Sequence, residues 1–539
     1  MTYVTPCHIF MYNKMKNKNL NLNFEATPFL IIWLLALTLL TAISILVAVH
    51  LLNPLWLFGP LLVIAIVAYD TFQNQHSLRK NYPLIGRLRY VFESIRPELR
   101  QYFIEGELDG KPFNRRQRSI VYQRSKNEKQ TISFGMQDDP NRIGYEWAAH
   151  SVYPIKANIE SLRVLVGNNQ CTKPYSASVL NIGAMSYGAL SKTAISSLNK
   201  GAMLGDFAHN TGEGGISDFH LQGGDVIWQI GTGYFGCRDN EGNFDSILFE
   251  EKARLDQVKM IEIKLSQGAK PGHGGLLPAH KNTLEISKIR NIEPHTTVHS
   301  PSAHTAFSNS TELLNFVNEL RELSNGKPVG FKICIGRKDE FEDIVNQMTL
   351  TGIIPDFITV DGAEGGTGAA PLEFIDYMGM ALADALPFVS QTLQKSGLRS
   401  QIKIFASGKV ITAFDIAKNI ALGADACYSA RGMMFSLGCI QALQCDSGRC
   451  PVGIATQDKK LYKGIDITNK SVRVANYHKN TILSLLDFMG ACGFVTLSDI
   501  QPNSFFRRTA HNLNESFEEI YLQNQKSLNQ ISQNHYSIN

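Results

Sequence analysis

Residues 357–368 read FITVDGAEGGTG. A short apolar, β-branched run ends in an acid. A turn with glycines at 362, 365, 366 and 368 follows, and helix-forming residues come after it. Such a run reads as a buried strand, and the turn as a place where bare backbone can approach a ligand. The unit recurs along the chain: VLNIGAMS (179–186), DFAHNTGEGG (206–215), VIWQIGTG (226–233), MIEIKLSQGAKPG (260–272), VGFKICIG (329–336), IKIFASGK (402–409) and ADACYSARG (424–432). Helical stretches such as STELLNFVNELREL and VITAFDIAKNIALG fill the gaps. Eight strand–turn–helix units predict an α/β (β/α)8 barrel. TTVHSP at 296–301 is assigned to a loop.

In such a barrel the turns after the strands form the face that carries function. NTGEGG (210–215) sets Glu213 between glycines, where it either meets a ligand or stays a solvated turn acid. KLSQGAKPGHGG (264–275) brings Lys264, Gln267, Lys270 and His273 into one loop stiffened by Pro271. Lysines at strand ends suit a substrate carboxylate or an electron-rich flavin edge. Asp361–Gly368, Ala406–Lys409 and Ala430–Gly432 end the last three strands. Their glycine turns suit a phosphate-bearing cofactor such as FMN. Residues 231–236 match G-x-G-x-x-G, but a turn sequence follows rather than a helix, so the dinucleotide reading fails its context. The electron donor is then expected to be a separate protein.

After the eighth strand come Cys439, Cys445 and Cys450, in a C-x5-C-x4-C array. Three thiolates this close are soft ligands for an iron–sulfur cluster or for zinc, with His478 available as a fourth zinc ligand. Three inert buried cysteines are the remaining reading. The other cysteines are isolated in sequence.

The 539 residues are 44% hydrophobic with a net charge of +4, which argues against a nucleic-acid binder. Nine scattered cysteines fit a reducing compartment. Residues 29–52 carry no Asp, Glu, Lys or Arg, and a second apolar run follows at 55–69. Together, 29–70 predict a transmembrane helical hairpin. Lys14, Lys16 and Lys18 before it, and Arg79, Lys80, Arg87 and Arg89 after it, put both ends and the catalytic domain in the cytoplasm. The expected organisation is a tail at 1–28, the hairpin at 29–70, a partly helical connector at 71–140, the barrel with its cysteine array at 141–500, and a polar tail at 501–539.

GAMSYGALS, NTGEGG, IKLSQGAKPGHGG, DGAEGGTGAAP and GCIQALQCDSGRCPVGIATQ, in that order, closely resemble the synthase domain of glutamate synthase, and more narrowly its stand-alone FMN-binding form. The likeness covers about residues 145–495. It implies FMN held by Ala184, Met185, Ser186, Gln229, Lys264, Gly365, Gly366, Thr367, Ser407, Gly408, Arg431 and Gly432. It also implies a [3Fe-4S] cluster on Cys439, Cys445 and Cys450. Glu213, Gln267 and Lys270 take catalytic positions, and Arg290 and Lys270 bind substrate. The implied reaction adds ammonia to 2-oxoglutarate and reduces the imine to glutamate. The large enzymes carry a glutaminase domain with an N-terminal nucleophilic cysteine. Here MTYVTPCHIF and the hairpin stand in that place, so ammonia is expected to be free or brought by a glutaminase partner. Two alternatives remain at this level: a related flavin oxidoreductase on another 2-oxo acid or amine, of N-alkylglutamate synthase type, and a non-catalytic membrane-bound barrel scaffold.

Overall fold

The computed structural model describes residues 28–128, 131–158 and 162–523. It divides into two units, 1–104 and 105–539. The lysines at 14, 16 and 18 and the end of the polar tail lie outside the described residues.

In the first unit, Pro28–Ala48 and Pro54–Phe72 are helices with mean hydropathies of 2.7 and 1.9. By length and composition both can cross a bilayer. Asn53 opens the second, its side chain accepting from Leu55 N. Trp33 Nε1 donates to Thr71 Oγ1 at 3.1 Å and ties the pair together. Asp70, fully buried near the end of the second helix, accepts from Arg79 Nη2 at 2.9 Å and from Arg87 Nε at 2.7 Å. Leu84 N adds a third donor at 3.1 Å. The connector that follows carries the helix Gly86–Leu99.

The second unit holds a closed barrel of eight parallel strands. These are β1 (Leu180–Ile182), β2 (His209–Asn210), β3 (Val226–Ile230), β4 (Val258–Lys264), β5 (Val329–Ile333), β6 (Phe357–Asp361), β7 (Lys403–Ser407) and β8 (Ala426–Ser429). Seven fall within a strand–turn unit read from the sequence, and β4 begins two residues before its unit. β8 closes on β1 with Cys427 opposite Leu180, and β4 pairs with β5 so that Lys264 lies opposite Lys332. TTVHSP is a correction. Val298–His299 is a short strand, paired with Leu276–Leu277 outside the barrel. The loop assignment overlooked it because two residues are too few to carry a period.

The amino-terminal end of the barrel is plugged. The hairpin Arg163–Val166 and Tyr175–Ser178 presents Val164, Val166 and Ala177 to Ile227, Met260, Phe357 and Phe405 in one apolar cluster. On the outside, Lys192–Gly205 starts under a Ser191 cap. It packs against the long helix Ile467–Cys492, which stops at Gly493 with φ 80°. The connector helix Arg115–Lys126 lies on that same long helix, with Arg124 donating to Thr481 Oγ1 at 3.1 Å and Ser484 Oγ at 3.0 Å. Part of the expected polar tail is ordered: Phe505–Ala510 and Leu513–Ser516 form a sheet with Glu146–Ala148. Glu146 fastens it, accepting from Lys418 and Arg507.

Candidate active site

At the carboxyl ends of the strands opens a cavity of about 1550 Å³. Its floor is a polar layer inside the barrel. Glu262, in the middle of β4 and fully buried, accepts from Asn210 Nδ2 at 2.8 Å and Gln229 Nε2 at 2.7 Å on one oxygen. Thr359 Oγ1 donates to the other at 2.5 Å. A carboxylate only accepts, so the Gln229 amide must turn its N–H₂ inward and leave its oxygen for the cavity.

One layer higher, Lys264 Nζ meets Glu213 Oε2 at 2.8 Å. Burial pushes the Glu213 carboxyl up, but the Lys264 ammonium, with Lys270 and Arg290 behind it, outweighs burial and holds it at about 2. Burial lowers the Lys264 ammonium, and Glu213 partly restores it. The Lys264 main chain is braced from behind: its oxygen meets His304 Nε2 at 2.9 Å, and His304 Nδ1 meets Tyr234 Oη at 3.0 Å. Burial keeps His304 neutral, down at about 4. Tyr234, inside the G-x-G-x-x-G match, is therefore a buried brace, and its turn with φ 46° leads to no nucleotide-binding helix; the next helix begins at Ser246.

Arg290 ends the helix Leu284–Arg290 and is 5% exposed. Its Nη2 donates to Tyr187 O at 2.8 Å, and its guanidinium lies 4.9 Å from the Phe235 ring centre. Its Nε is buried without a partner, and burial lowers the group to about 10. Lys270 is also buried and lines the cavity. The loop carrying it is pinned by Gly268 N donating to Asp361 Oδ2 at 2.9 Å. A Cβ at Gly268 would lie 1.8 Å from Gly362 O, so the two loops meet only through glycine.

Of the residues expected at the site, Ala184, Met185, Ser186, Glu213, Gln229, Lys264, Gln267, Lys270, Arg290, Gly365, Gly366, Thr367 and Arg431 line this one cavity. Cys439, Cys445 and Cys450 line it too. Ser407, Gly408 and Gly432 are absent from the lining. Ser407 O accepts from Gly362 N at 2.8 Å and holds the loop after β6; Gly432 packs under Ser429 and Tyr477. Lys332, Lys111 and Phe113 line the cavity without having been expected, beside Lys409 from the turn Ala406–Lys409. A lysine inside the apolar run VGFKI was the available signal for Lys332. Lys111 and Phe113 had none.

Eight lysines and arginines face this cavity against four carboxylates. That surplus, with the unpartnered Arg290 Nε, fits a ligand set rich in carboxylate or phosphate. At the cysteine wall, Gln441 N donates to Cys439 Sγ at 3.5 Å, and Lys281 Nζ donates to Cys445 O at 2.6 Å. Burial pushes the Cys439 thiol up to about 12. Among the described residues no group of three His, Cys, Asp or Glu side chains is drawn tightly enough for one metal ion. His478 stands elsewhere, stacked on Phe207 with ring centres 3.9 Å apart and bonded to Ser178 Oγ at 2.9 Å. The zinc reading loses its fourth ligand. An all-sulfur donor set with a backbone N–H on one sulfur suits a cluster better than a single ion.

Residues 141–495 match the model of the conserved region in glutamate synthase. The chain belongs to the glutamate synthase family. The glutamate synthase large subunit-like protein YerD of Bacillus subtilis is 39% identical over 476 residues, covering 80% of this chain and 90% of that protein. The archaeal glutamate synthase (NADPH) of Methanocaldococcus jannaschii is 36% identical over 328 residues, 60% of either chain. The archaeal-type glutamate synthase (NADPH) of Thermotoga neapolitana is 34% identical over 322 residues, 59% of this chain and 60% of that one. The match thus spans about 60% of the length of these two enzymes. As a member of the glutamate synthase family the chain is an oxidoreductase.

Proposed function

We propose that this chain catalyses the reductive amination of 2-oxoglutarate to glutamate, with FMN in the barrel mouth, a [3Fe-4S] cluster on Cys439, Cys445 and Cys450, and a separate protein as electron donor. The observation that carries this reading is the cation-rich cavity, with the Glu213–Lys264 pair near its floor and the cysteine array in its wall. Bound FMN would supply a hydride equivalent, and a cluster on the three cysteines would supply single electrons. Lys270 and Arg290 hold the two carboxylates of the 2-oxo acid by charge-assisted bonds. Ammonia, free or delivered by a glutaminase partner, adds to the keto carbon and water leaves. With its carboxyl near 2, Glu213 is ionised at neutral pH. It accepts N–H bonds from the cationic imine and steadies that charge, rather than acting as the proton donor. Gln267 lies across the loop after β6, its Nε2 3.5 Å from Gly366 O, and closes the site from above. Lys264, Gln229 and the glycines of the loop after β6 would hold the cofactor.

The test is a single turnover. Purified full-length protein is reduced anaerobically and mixed with 2-oxoglutarate and ammonium. Glutamate formed in step with flavin reoxidation is the expected result; a reduced flavin that persists rejects 2-oxoglutarate as the substrate, and protein without flavin rejects the cofactor. The same reading places the two apolar helices across a membrane as a tether, with the barrel on the cytoplasmic side. It is supported by their composition and by the basic residues that follow them.

A further inference from the structure

The family match begins at residue 141, yet Lys111, Pro112 and Phe113, well before it, line the cavity. They form a strap leading into the helix Arg115–Lys126. Gln441 buckles this strap to the cysteine loop. Its Oε1 accepts from Phe113 N at 3.2 Å, and its Nε2 donates to Phe113 O at 3.0 Å and Lys111 O at 3.4 Å. One side chain thereby satisfies three backbone groups about 330 residues away in sequence. A second fastening is Tyr122 Oη, which donates to Cys439 O at 2.5 Å.

The strap carries charge as well as backbone. Phe113 is 1% exposed and meets Phe435 edge-on. The Arg431 guanidinium lies 4.7 Å from the Phe113 ring centre, and its Nη2 donates to Glu364 O at 2.6 Å. Lys409 stands near them. Burial lowers its ammonium first, and the neighbouring charges of Arg431 and Lys111 lower it further. Two carboxylates stand beside this group: Glu364 is engaged by Leu382 N at 3.1 Å, and Asp361 accepts from Gly268 N at 2.9 Å. Arg431 lies against Gly366, and Lys111 and Lys409 line the same cavity as Gly365 and Gly366. A phosphate monoester, a dianion, offers three terminal acceptor oxygens to these three cationic donors.

We propose that Lys111 binds the phosphate of the flavin cofactor, held in place by a strap that Gln441 fastens to the cysteine loop. The proposal rests on the FMN reading above, and riboflavin, which has the same ring system without the phosphate, separates the two. Flavin-free full-length protein in detergent is titrated with FMN and with riboflavin, following quenching of flavin fluorescence. Lys111→Gln should weaken FMN about tenfold, the effect of losing one charge-assisted contact, and leave riboflavin unchanged. Lys111→Arg should restore FMN, and Gln441→Leu should reproduce the selective loss. Lys111 is exposed, so the thermal midpoint of Lys111→Gln should match wild type. FMN binding unaltered in Lys111→Gln, or an equal loss for both flavins, overturns the role of Lys111. Wild-type protein that binds neither flavin overturns the cofactor reading itself.

Discussion

Glu213 and Glu262 stand near each other in the barrel and answer to different physics. Glu213 is paired with a cation, and its carboxyl falls from the usual 4.5 to about 2. A carboxyl depressed on folding adds stability that is complete above its unfolded value and disappears as pH falls through the folded one. Between about pH 4.5 and 2 the protein should therefore lose on the order of 2 kcal/mol from this group. Glu213→Gln lacks that component. Its urea midpoint should lie below wild type at pH 7 and converge with it only as pH falls below about 2. Glu262 is held by three neutral donors. Glu262→Leu strands all three in the interior and should cost roughly 3 kcal/mol or more in urea unfolding; Glu262→Gln, which keeps one acceptor oxygen, should cost less. The sequence contains the clue to both Glu262 and Lys264. In MIEIK they are two apart, so they share one face of the strand, and in a closed barrel that face is the inside. Lys332 obeys the same rule. Reading strands for their apolar residues alone hides the charged ones among them.

At the scale of elements, the eight strands were legible because each ends in a turn whose glycines and acids break an apolar run. The strap at 111–113 was not, because what makes it part of the site is Gln441, and no local pattern announces a partner that far along the chain. Ser407, Gly408 and Gly432 lie in the expected turns but outside the cavity lining. The cysteine loop gives a prediction of its own. Cys445→Ser should cut the iron bound per chain while the flavin-to-protein ratio stays as in wild type, measured by elemental analysis and visible absorbance. Full iron occupancy would remove Cys445 from the ligand set. The connector helix can be tested through Arg124, whose bonds to Thr481 and Ser484 anchor it on the long helix. Arg124→Ala should destabilise the protein by about 2 kcal/mol through the two lost bonds and the lost packing of the stem, seen as a lower thermal midpoint.

At the scale of the whole molecule, composition already separated an apolar amino-terminal region from a barrel. It missed that the chain after residue 501 returns to the barrel unit as two strands beside Glu146–Ala148, because apart from Phe505 and Phe506 these strands are mostly polar and at least partly exposed. If the tether reading holds, full-length protein stays with the membrane fraction after alkaline carbonate extraction. Recovery in the supernatant would make the two apolar helices something other than spans.

The apolar plug formed by Arg163–Val166 and Tyr175–Ser178 turns the barrel into a blind alley. Among the described residues, whatever reacts inside comes and goes by the mouth at the carboxyl ends of the strands. Under the proposed chemistry, glutamate has to back out along the route by which the next 2-oxo acid arrives. The two then exclude one another, and added glutamate should raise the apparent KM for 2-oxoglutarate and leave kcat untouched. Traffic through this enzyme would be set by the width of that mouth.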